Sequence, residues 1–323
     1  MNILWIKDGK IGHEKQVKAL LDEICKTENI KIIEEEYKVS SWGRLDDVLG
    51  YYTNGAFGSE IGGYQYFKYR KMSLDIVIGA GTGVHTRILE VKKNLKKYFN
   101  KDVLSISVLV PGFFKKDFDI ICAPLHDSYK LPVNDNVIYF EGSLANVYDD
   151  DIDEGVGLIG IGGKNKHYIF NENKLIQQIE YVTALYPDKK WHIFSSRRTP
   201  ARMLKKLSLL SNSSSTISLE NEGFNEVIKK ASIKVVTQDS INMVYESLST
   251  KGKTFLFNMK YLRKNKVISQ INQLLVNKQV GYLEYSKMVD GLVKIKMQPQ
   301  NEHHEVFAEV EKLAYKLIQK IKI

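Results

Sequence analysis

The sequence is poor in cysteine and proline, and it has no long run of apolar residues. Cys25 and Cys122 are its two cysteines in 323 residues, too few for a disulfide framework or a zinc site. Six prolines argue against long disordered linkers. No stretch approaches the roughly 18 apolar residues of a spanning helix, and the N-terminal MNILWIKDGK is not typical of a signal peptide. These absences predict a reduced protein that stays in the cytoplasm.

Charge is present in excess of one sign, with a net charge of +9. A basic surface favours anionic partners such as nucleotides or anionic lipids. The lysines are dispersed, and many fall on the polar faces of helical patterns, as in residues 94–101 (NLKKYFNK). This dispersion favours a solvated surface first, a peripheral contact with an anionic membrane second, and a nucleic-acid groove third. We therefore expect no nucleic-acid partner.

Short β-branched runs alternate with amphipathic helical patterns along the chain, beginning with a strand at 2–6 and a helix at 14–25. This alternation predicts two doubly wound, Rossmann-like α/β domains with parallel sheets. Residues 148–155 (YDDDIDEG) separate two alternating halves, so a solvated linker is favoured over a metal-binding acidic motif. We expect an N-terminal domain at 1–150 and a C-terminal domain at 151–323.

Two details of this pattern are less regular. A helix is predicted to start at Ser143, just before the linker. Residues 51–72 form an aromatic, glycine-rich insert without clear periodicity, for which we favour an ordered surface loop that packs its own aromatic side chains. An acceptor-binding or membrane-contacting flap stays open, because Lys68, Arg70 and Lys71 stand among the tyrosines and phenylalanines.

Parallel α/β sheets bind ligands at the carboxyl ends of their strands, where helix N-termini present free N–H groups. The strongest candidate, residues 237–246, follows an apolar strand pattern and starts a predicted helix at Asp239. Thr237 and Ser240 suit a diphosphate, and Glu246 suits ribose hydroxyls. Asp239 as a simple helix cap is the alternative. The polar helical face comprises Asp239, Asn242, Met243 and Glu246.

Two other strand ends in this half carry arginines and glycines. Arg197 and Arg198 stand at a predicted helix start, where guanidinium groups favour phosphate, and a surface charge pair is the alternative. Thr199 is the expected N-cap, with Pro200 in the first helical position. A glycine pair after the strand at 157–161 would let backbone amides approach a ligand, although tight turns also need glycine. The donor-side residues expected here are Gly162, Gly163, Ser196, Arg197, Arg198 and Thr199.

The N-terminal half offers two loops. His13 lies in the glycine-flanked segment 8–14 after the first strand, and a histidine there can take a proton from an acceptor hydroxyl at neutral pH. Asp8 is the alternative base, and a structural histidine is an equally open interpretation. Residues 79–83 (GAGTG) lack the third glycine of a dinucleotide motif, so we interpret them as a turn. The residues expected to line the acceptor side are Gly12, Gly81, Thr82, His85 and Thr86.

Several of these segments resemble the mitochondrial-fission ELM-type family. They are, in order, DGKIGHEKQ (8–16), IGG (161–163), SSRRTP (195–200), EGFNEV (222–227) and TQDSINMVYES (237–247). The family's bacterial members are inferred to be glycosyltransferases of the GT-B fold, whereas some eukaryotic members are described as adaptors. The resemblance implies two Rossmann-like domains facing across a cleft, a nucleotide-sugar donor on the C-terminal domain, and a final helix that can cross back to the N-terminal one.

By similarity to the wider GT-B group, Glu246 would take the donor ribose, Ser240 the diphosphate, and His13 would lie near the acceptor. The resemblance thus implies transfer of a sugar from a nucleotide-sugar donor. The basic surface and the aromatic insert lead us to expect a glycan or lipid-linked acceptor of the cell envelope, with the protein in the cytoplasm or at the inner face of the membrane. No cofactor and no metal are expected, because arginine and a helix dipole can offset the leaving charge. A non-catalytic adaptor and a sugar-nucleotide epimerase stay open as alternatives.

Overall fold

A computed structural model describes residues 1–37, 69, 72–131, 135–288, 292–301 and 305–322. The chain forms two compact units, Met1–Asn146 with Glu309–Ile323, and Val147–Ala308. The aromatic insert at 51–72 lies outside the described residues except for Tyr69 and Met72.

Strands and helices alternate through both units. The strands are β1 (Asn2–Lys7), β2 (Lys31–Glu36), β3 (Ile76–Ala80), β4 (Leu104–Val108), β5 (Ile120–Pro124), β6 (Val137–Phe140), β7 (Asp153–Ile161), β8 (Lys190–Ser195), β9 (Ile217–Glu220), β10 (Ala231–Val236), β11 (Lys253–Leu256), β12 (Gly281–Lys287) and β13 (Val293–Gln298). The described α-helices are α1 (Ile11–Cys25), α2 (Thr82–Phe99), α3 (Glu172–Leu185), α4 (Ala201–Asn212), α5 (Phe224–Lys230), α6 (Ile241–Leu248), α7 (Lys266–Val276) and α8 (Glu309–Ile321). Short 3₁₀ turns occupy Lys115–Asp117 and Leu125–Lys130.

The first unit contains a six-stranded sheet in the order β2-β1-β3-β4-β5-β6, with every pair parallel. The central strand β3 is buried along its whole length, as expected of a strand covered on both faces. It includes Gly79 and Ala80, which the sequence assigned to a turn. Gly79 belongs to the strand because it pairs with Ile6 of β1. The two strands approach closely there, since a Cβ on Gly79 would lie 2.7 Å from the Ile6 carbonyl oxygen.

The first unit also contains the last helix of the chain. The backbone N–H of Glu141 donates to Oε2 of Glu309, at the start of α8, over 2.8 Å. The helix predicted at Ser143 is absent, because the backbone there is held differently. The backbone N–H of Leu144 donates to Oε1 of Gln16 on α1 over 3.4 Å. The side-chain amide of Asn146 donates to Oδ2 of Asp22, also on α1, over 3.3 Å.

The second unit contains a seven-stranded sheet in the order β13-β12-β11-β10-β7-β8-β9. Every pair is parallel except β12–β13, an antiparallel hairpin that the sequence analysis did not predict. The predicted acidic linker is partly wrong, since β7 already starts at Asp153, which pairs with Ala231 of β10. Together the two sheets confirm the predicted α/β class with doubly wound, mostly parallel sheets.

Lys234 is a buried lysine in β10. Its side chain is enclosed, and its Nζ donates to the carbonyl oxygens of Ser247 (2.7 Å) and Thr250 (3.0 Å), and to that of Lys251. These carbonyl groups lie at and just beyond the end of α6, where the helix dipole favours a positive charge. Burial lowers the pKa of Lys234 to about 7. The lysine therefore fixes the C-terminus of α6 to the sheet.

We expect Lys234→Met to lower the free energy of unfolding of the second unit by about 3 kcal/mol at neutral pH, because buried carbonyl groups lose their donor. Lys230→Met removes an exposed lysine from the end of α5 and should change the same quantity by less than about 0.5 kcal/mol. Urea denaturation followed by circular dichroism measures both. Equal stability of the two variants would contradict the anchoring role of Lys234.

The same lysine predicts a pH dependence. Between pH 7 and 10.5 the unfolded lysine still holds a proton that the folded lysine has lost, so its contribution to the free energy of unfolding rises with pH in that window. The difference in unfolding free energy between the wild type and Lys234→Met should therefore grow from pH 7 to pH 10. A difference that stays flat or shrinks over a pH series of denaturation curves would show that burial does not depress this pKa.

Candidate functional site

Three strand ends meet at one edge of the second unit. β7 lies between β8 and β10, so the loops that follow these three parallel strands are neighbours. The N–H of Gly162, after β7, donates to Oγ1 of Thr237, after β10, over 2.7 Å. Nη2 of Arg198, after β8, donates to Oδ2 of Asp239 over 3.1 Å. The structure thus brings together the three segments that the sequence singled out on the donor side.

Asp239 is the link between these loops. Its carboxylate is 0% exposed, and its Oδ2 accepts from the Gly163 N–H (2.8 Å) as well as from Arg198. Its Oδ1 is buried without a hydrogen bond from the described residues. Burial raises the pKa of Asp239, and the Gly163 amide and other donors act against this shift. Asp239 is not the helix cap that the sequence suggested, since α6 starts at Ile241 with Ser240 in the N-cap position.

The two glycines after β7 are required by close packing. A Cβ on Gly162 would lie 2.4 Å from the Asp239 carboxylate, and one on Gly163 would lie 2.1 Å from the Arg198 backbone. Both N–H groups are already bonded, to Thr237 and Asp239. The expectation that these amides would approach a ligand is therefore wrong, because they hold the loops together instead.

Thr199 also has a different role from the predicted one. Pro200 takes the N-cap position of α4, and the Thr199 hydroxyl donates to the Gly162 carbonyl oxygen while accepting from the Ser196 N–H over 2.8 Å. Arg197 on this loop is exposed and makes no hydrogen bond or ion pair with the described residues. The bonded loop thus presents the Arg197 guanidinium to solvent.

The predicted donor residues divide into a buried set and an accessible set. Met243, expected on the polar face of α6, packs onto β7, where its Sδ would lie 2.6 Å from a Cβ on Gly160. Ser240 makes no capping hydrogen bond with its side chain. The buried residues are Gly162, Gly163, Thr199, Thr237 and Asp239. The exposed or half-buried ones are Ser196, Arg197, Arg198, Ser240, Asn242, Met243 and Glu246.

The first unit has its own cluster at the carboxyl edge of its sheet. Nδ1 of His13, in the first turn of α1, lies 2.7 Å from Oδ2 of Asp8, whose side chain is 1% exposed. Because a carboxylate accepts hydrogen bonds, Nδ1 carries the proton and Nε2 is left as the basic nitrogen. Gly81, after β3, has a φ of +94°, and a Cβ there would lie 2.4 Å from His13 Nδ1. Gly81 therefore lies against His13 and Gly12 precedes it in the chain, while Thr82, exposed, follows Gly81 at the start of α2.

His85 does not join this cluster as a ligand-facing group. It is buried in α2, and its Nε2 lies 2.8 Å from the Ser107 hydroxyl. Burial lowers the pKa of His85 to about 3, so the ring is neutral at physiological pH. The expectation that His85 and the neighbouring buried Thr86 would line an open site is wrong.

Sequence analysis missed Asn165, which braces the site from the loop after β7. Its Nδ2 donates to the Asp239 carbonyl oxygen over 2.9 Å, and its Oδ1 accepts from the N–H groups of His167 and Tyr168. The only signal was an asparagine two residues after the glycine pair, which many turns share. Within the described residues, no group of three histidine, cysteine or acidic side chains is arranged to hold a metal, and no helix is long and apolar enough to cross a membrane.

Several solved structures are similar to this chain at low sequence identity. A Listeria monocytogenes protein proposed to be a UDP-N-acetylglucosamine 2-epimerase has a TM-score of 0.53 and 10% identity, covering 100% of this chain and 88% of its own. UDP-GlcNAc 2-epimerase from Methanocaldococcus jannaschii has a TM-score of 0.49 and 15% identity, covering 99% and 100%. The glycosyltransferase of kitacinnamycin has a TM-score of 0.48 and 12% identity, covering 99% and 92%. The similarity to the Listeria protein, the one of these three with a TM-score above 0.5, shows that the two proteins share a fold.

Comparison at the level of sequence identifies the family. No curated protein is similar enough in sequence to count as a match. The sequence model of the family described as mitochondrial fission ELM1, in contrast, matches residues 11–320, nearly the whole chain. The match includes His13, the glycine pair after β7, the arginine loop after β8 and the start of α6. The chain therefore belongs to the mitochondrial fission ELM1 family.

Proposed function

We propose that the protein is a glycosyltransferase that binds a nucleotide sugar at the carboxyl edge of the second unit's sheet. The observation that carries this proposal is the ion pair between Arg198 and the buried Asp239. It holds the arginine loop after β8 against the start of α6. Guanidinium groups and the N–H groups of a first helical turn then stand at one edge, and both favour phosphate oxygens.

The charges at this edge suit a leaving diphosphate. The carboxylate of Asp239 offsets part of the positive charge of Arg198. Arg197 makes no ion pair with the described residues, so no carboxylate among them offsets its charge. When the bond between the sugar and the diphosphate breaks, negative charge grows on the diphosphate oxygens. Fixed positive groups placed where that charge develops lower the barrier. The proposal assigns this role to Arg197, Arg198 and the α6 N-terminus, with no metal or cofactor assigned.

In this proposal Glu246 binds the ribose of the nucleoside. It is half-buried on α6, six residues after Ser240, which corresponds to about 9 Å along the helix axis. A nucleoside with its diphosphate at Ser240 can thus extend along the helix toward Glu246. A carboxylate there accepts hydrogen bonds from ribose hydroxyls, as acidic residues do in dinucleotide-binding folds.

The catalytic base in this proposal is His13. Asp8 holds Nδ1, so Nε2 takes the proton from the acceptor hydroxyl as that oxygen bonds to the anomeric carbon and the diphosphate leaves. The proposal assigns Asp8 the role of a positioning residue, because its side chain is enclosed at 1% exposure and contacts His13. Sequence analysis had kept both residues as candidates.

The acceptor in this proposal is a cell-envelope glycan or lipid-linked sugar, handled in the cytoplasm or at the inner face of the membrane. Two observations support it. The net charge of +9 favours anionic surfaces. Exposed Phe113, Leu125 and Tyr129 follow β4 and β5 at the carboxyl edge of the first unit's sheet, where a lipid chain can contact them.

Nucleotide binding gives the first test. We expect Arg197→Met and Glu246→Gln each to weaken UDP binding about tenfold or more. Each substitution removes a charged side chain that hydrogen-bonds to the ligand in this proposal. Arg202→Met removes an exposed arginine of α4 that pairs with Glu172, and it should leave the affinity unchanged. Isothermal titration calorimetry measures all three, after a thermal-shift screen of nucleoside diphosphates identifies the preferred base. Affinities unaltered in both site variants would refute the donor assignment.

Turnover gives the second test. We expect His13→Ala to reduce the rate of sugar transfer at least about a thousandfold. Asp8→Asn should reduce it about a hundredfold, because the imidazole is no longer held in the tautomer with the proton on Nδ1. Both variants should keep their affinity for the donor. Asp102→Asn, at an exposed position, is the matched control and should retain full activity. Release of free UDP without an acceptor product would indicate an epimerase instead. A chain that binds donor but never turns it over, with cellular function indifferent to His13, would indicate an adaptor.

A further inference from the structure

A cavity of about 540 Å³ lies in the second unit beside the end of β11. Its walls come from the start of α3, from the segment Asn258–Lys260 after β11, and from one face of β12. This volume is in the range of small-molecule binding sites. None of the residues in this cavity's wall belongs to the donor site proposed above.

The cavity is strongly basic. Lys174, Lys260 and Lys287 line it, and no acidic side chain lines it within the described part of the chain. The ammonium groups of Lys260 and Lys287 make no hydrogen bond or ion pair with described residues. Lys174 bonds to Oδ1 of Asn258 and lies 4.6 Å from the centre of the Tyr285 ring. Three positive charges without a carboxylate among them favour an anionic ligand.

The neutral groups of the cavity suit a sugar, and they are held in place. The Tyr285 hydroxyl donates to Oε1 of Gln177 over 2.6 Å, so the ring is fixed against α3. The Asn258 N–H donates to Oε1 of Gln178 over 2.7 Å, and its side-chain amide donates to the Tyr282 hydroxyl. An aromatic face beside fixed amides recognises the C–H face and the hydroxyls of a pyranose, in the same way that polar groups orient ligands in other pockets.

The cavity adjoins the α6 site on the same sheet edge, because β10 and β11 are parallel neighbours. Gln238, between Thr237 and Asp239, donates to the Phe257 carbonyl oxygen over 2.7 Å, one residue before the cavity wall begins. The loop after β7 contacts both sites as well. Its Asn165 donates to the Asp239 carbonyl oxygen (2.9 Å), and its Ile169 N–H donates to that of Lys260 (2.8 Å).

We propose that this cavity binds the glycosyl part of the donor and selects a sugar that carries an oxyanion, either a carboxylate or a phosphate ester. The proposal rests on the proposed function, since it takes the α6 edge as the nucleotide site. The ammonium groups of Lys260 and Lys287 bind the oxyanion, and Tyr285 and Asn258 contact the sugar ring. The same oxyanion can also belong to a separate small molecule, and the experiment below distinguishes the two sources.

The test compares UDP-glucuronate with UDP-glucose, which differ in one carboxylate. By calorimetry on the full chain, we expect UDP-glucuronate to bind about tenfold more tightly or better. The double variant Lys260→Met/Lys287→Met should lose this preference while its affinity for UDP alone stays within about twofold. Lys260→Arg/Lys287→Arg should keep the preference, because it retains both charges. Lys205→Met, on the exposed face of α4, removes one charge outside the cavity and should keep the preference as well. Thermal unfolding verifies that each variant is folded.

The outcomes separate this proposal from the function it rests on. If UDP does not bind at all, the proposed nucleotide site fails, and the cavity is tested alone with glucose 6-phosphate and inorganic phosphate. Binding of either that is lost in the Lys260→Met/Lys287→Met variant supports an oxyanion site served by a separate ligand. Equal affinity of the wild type for UDP-glucuronate and UDP-glucose, or a preference that survives in the double methionine variant, overturns the selection of anionic sugars.

Discussion

The enclosed carboxylate of Asp239 is the constraint on which the second unit's site depends. One oxygen accepts both the Gly163 N–H and the Arg198 guanidinium, so three strand ends keep a single arrangement. A buried carboxylate is costly unless it is paired, and the arginine supplies that pairing. Because Arg198 is held in this way, its neighbour Arg197 is presented to solvent on a fixed loop.

The first unit repeats the same physical device. Asp8 is buried after the first strand and holds His13, as Asp239 holds Arg198. In each unit a glycine passes so close that a Cβ would lie within 2.5 Å of a carboxylate oxygen, at Gly81 and at Gly162 respectively. Both units thus enclose an acidic side chain at the carboxyl edge of a parallel sheet and use it to position a basic group that remains partly exposed.

Positive charge without a carboxylate partner is present at the second unit's edge. Arg197 on one side, and Lys260 and Lys287 in the neighbouring cavity, make no ion pair with the described residues. Lys234, in contrast, is fully bonded within the fold and serves the end of α6. Burial of the side chain and bonding of its nitrogen thus distinguish a basic residue that serves the fold from one that is available to a ligand.

The sequence by itself determined the alternation of strands and helices and the family motifs, because side-chain periodicity and short motifs are local properties. It did not determine the roles of single residues within those motifs. The sequence suggested that Thr199 and Asp239 are helix caps, but both make hydrogen bonds to the segment after β7. The Gly162 N–H donates to Thr237, which is 75 residues away in the sequence. Only the tertiary structure decided which polar groups are enclosed and which remain open, since burial depends on neighbours that are distant in sequence.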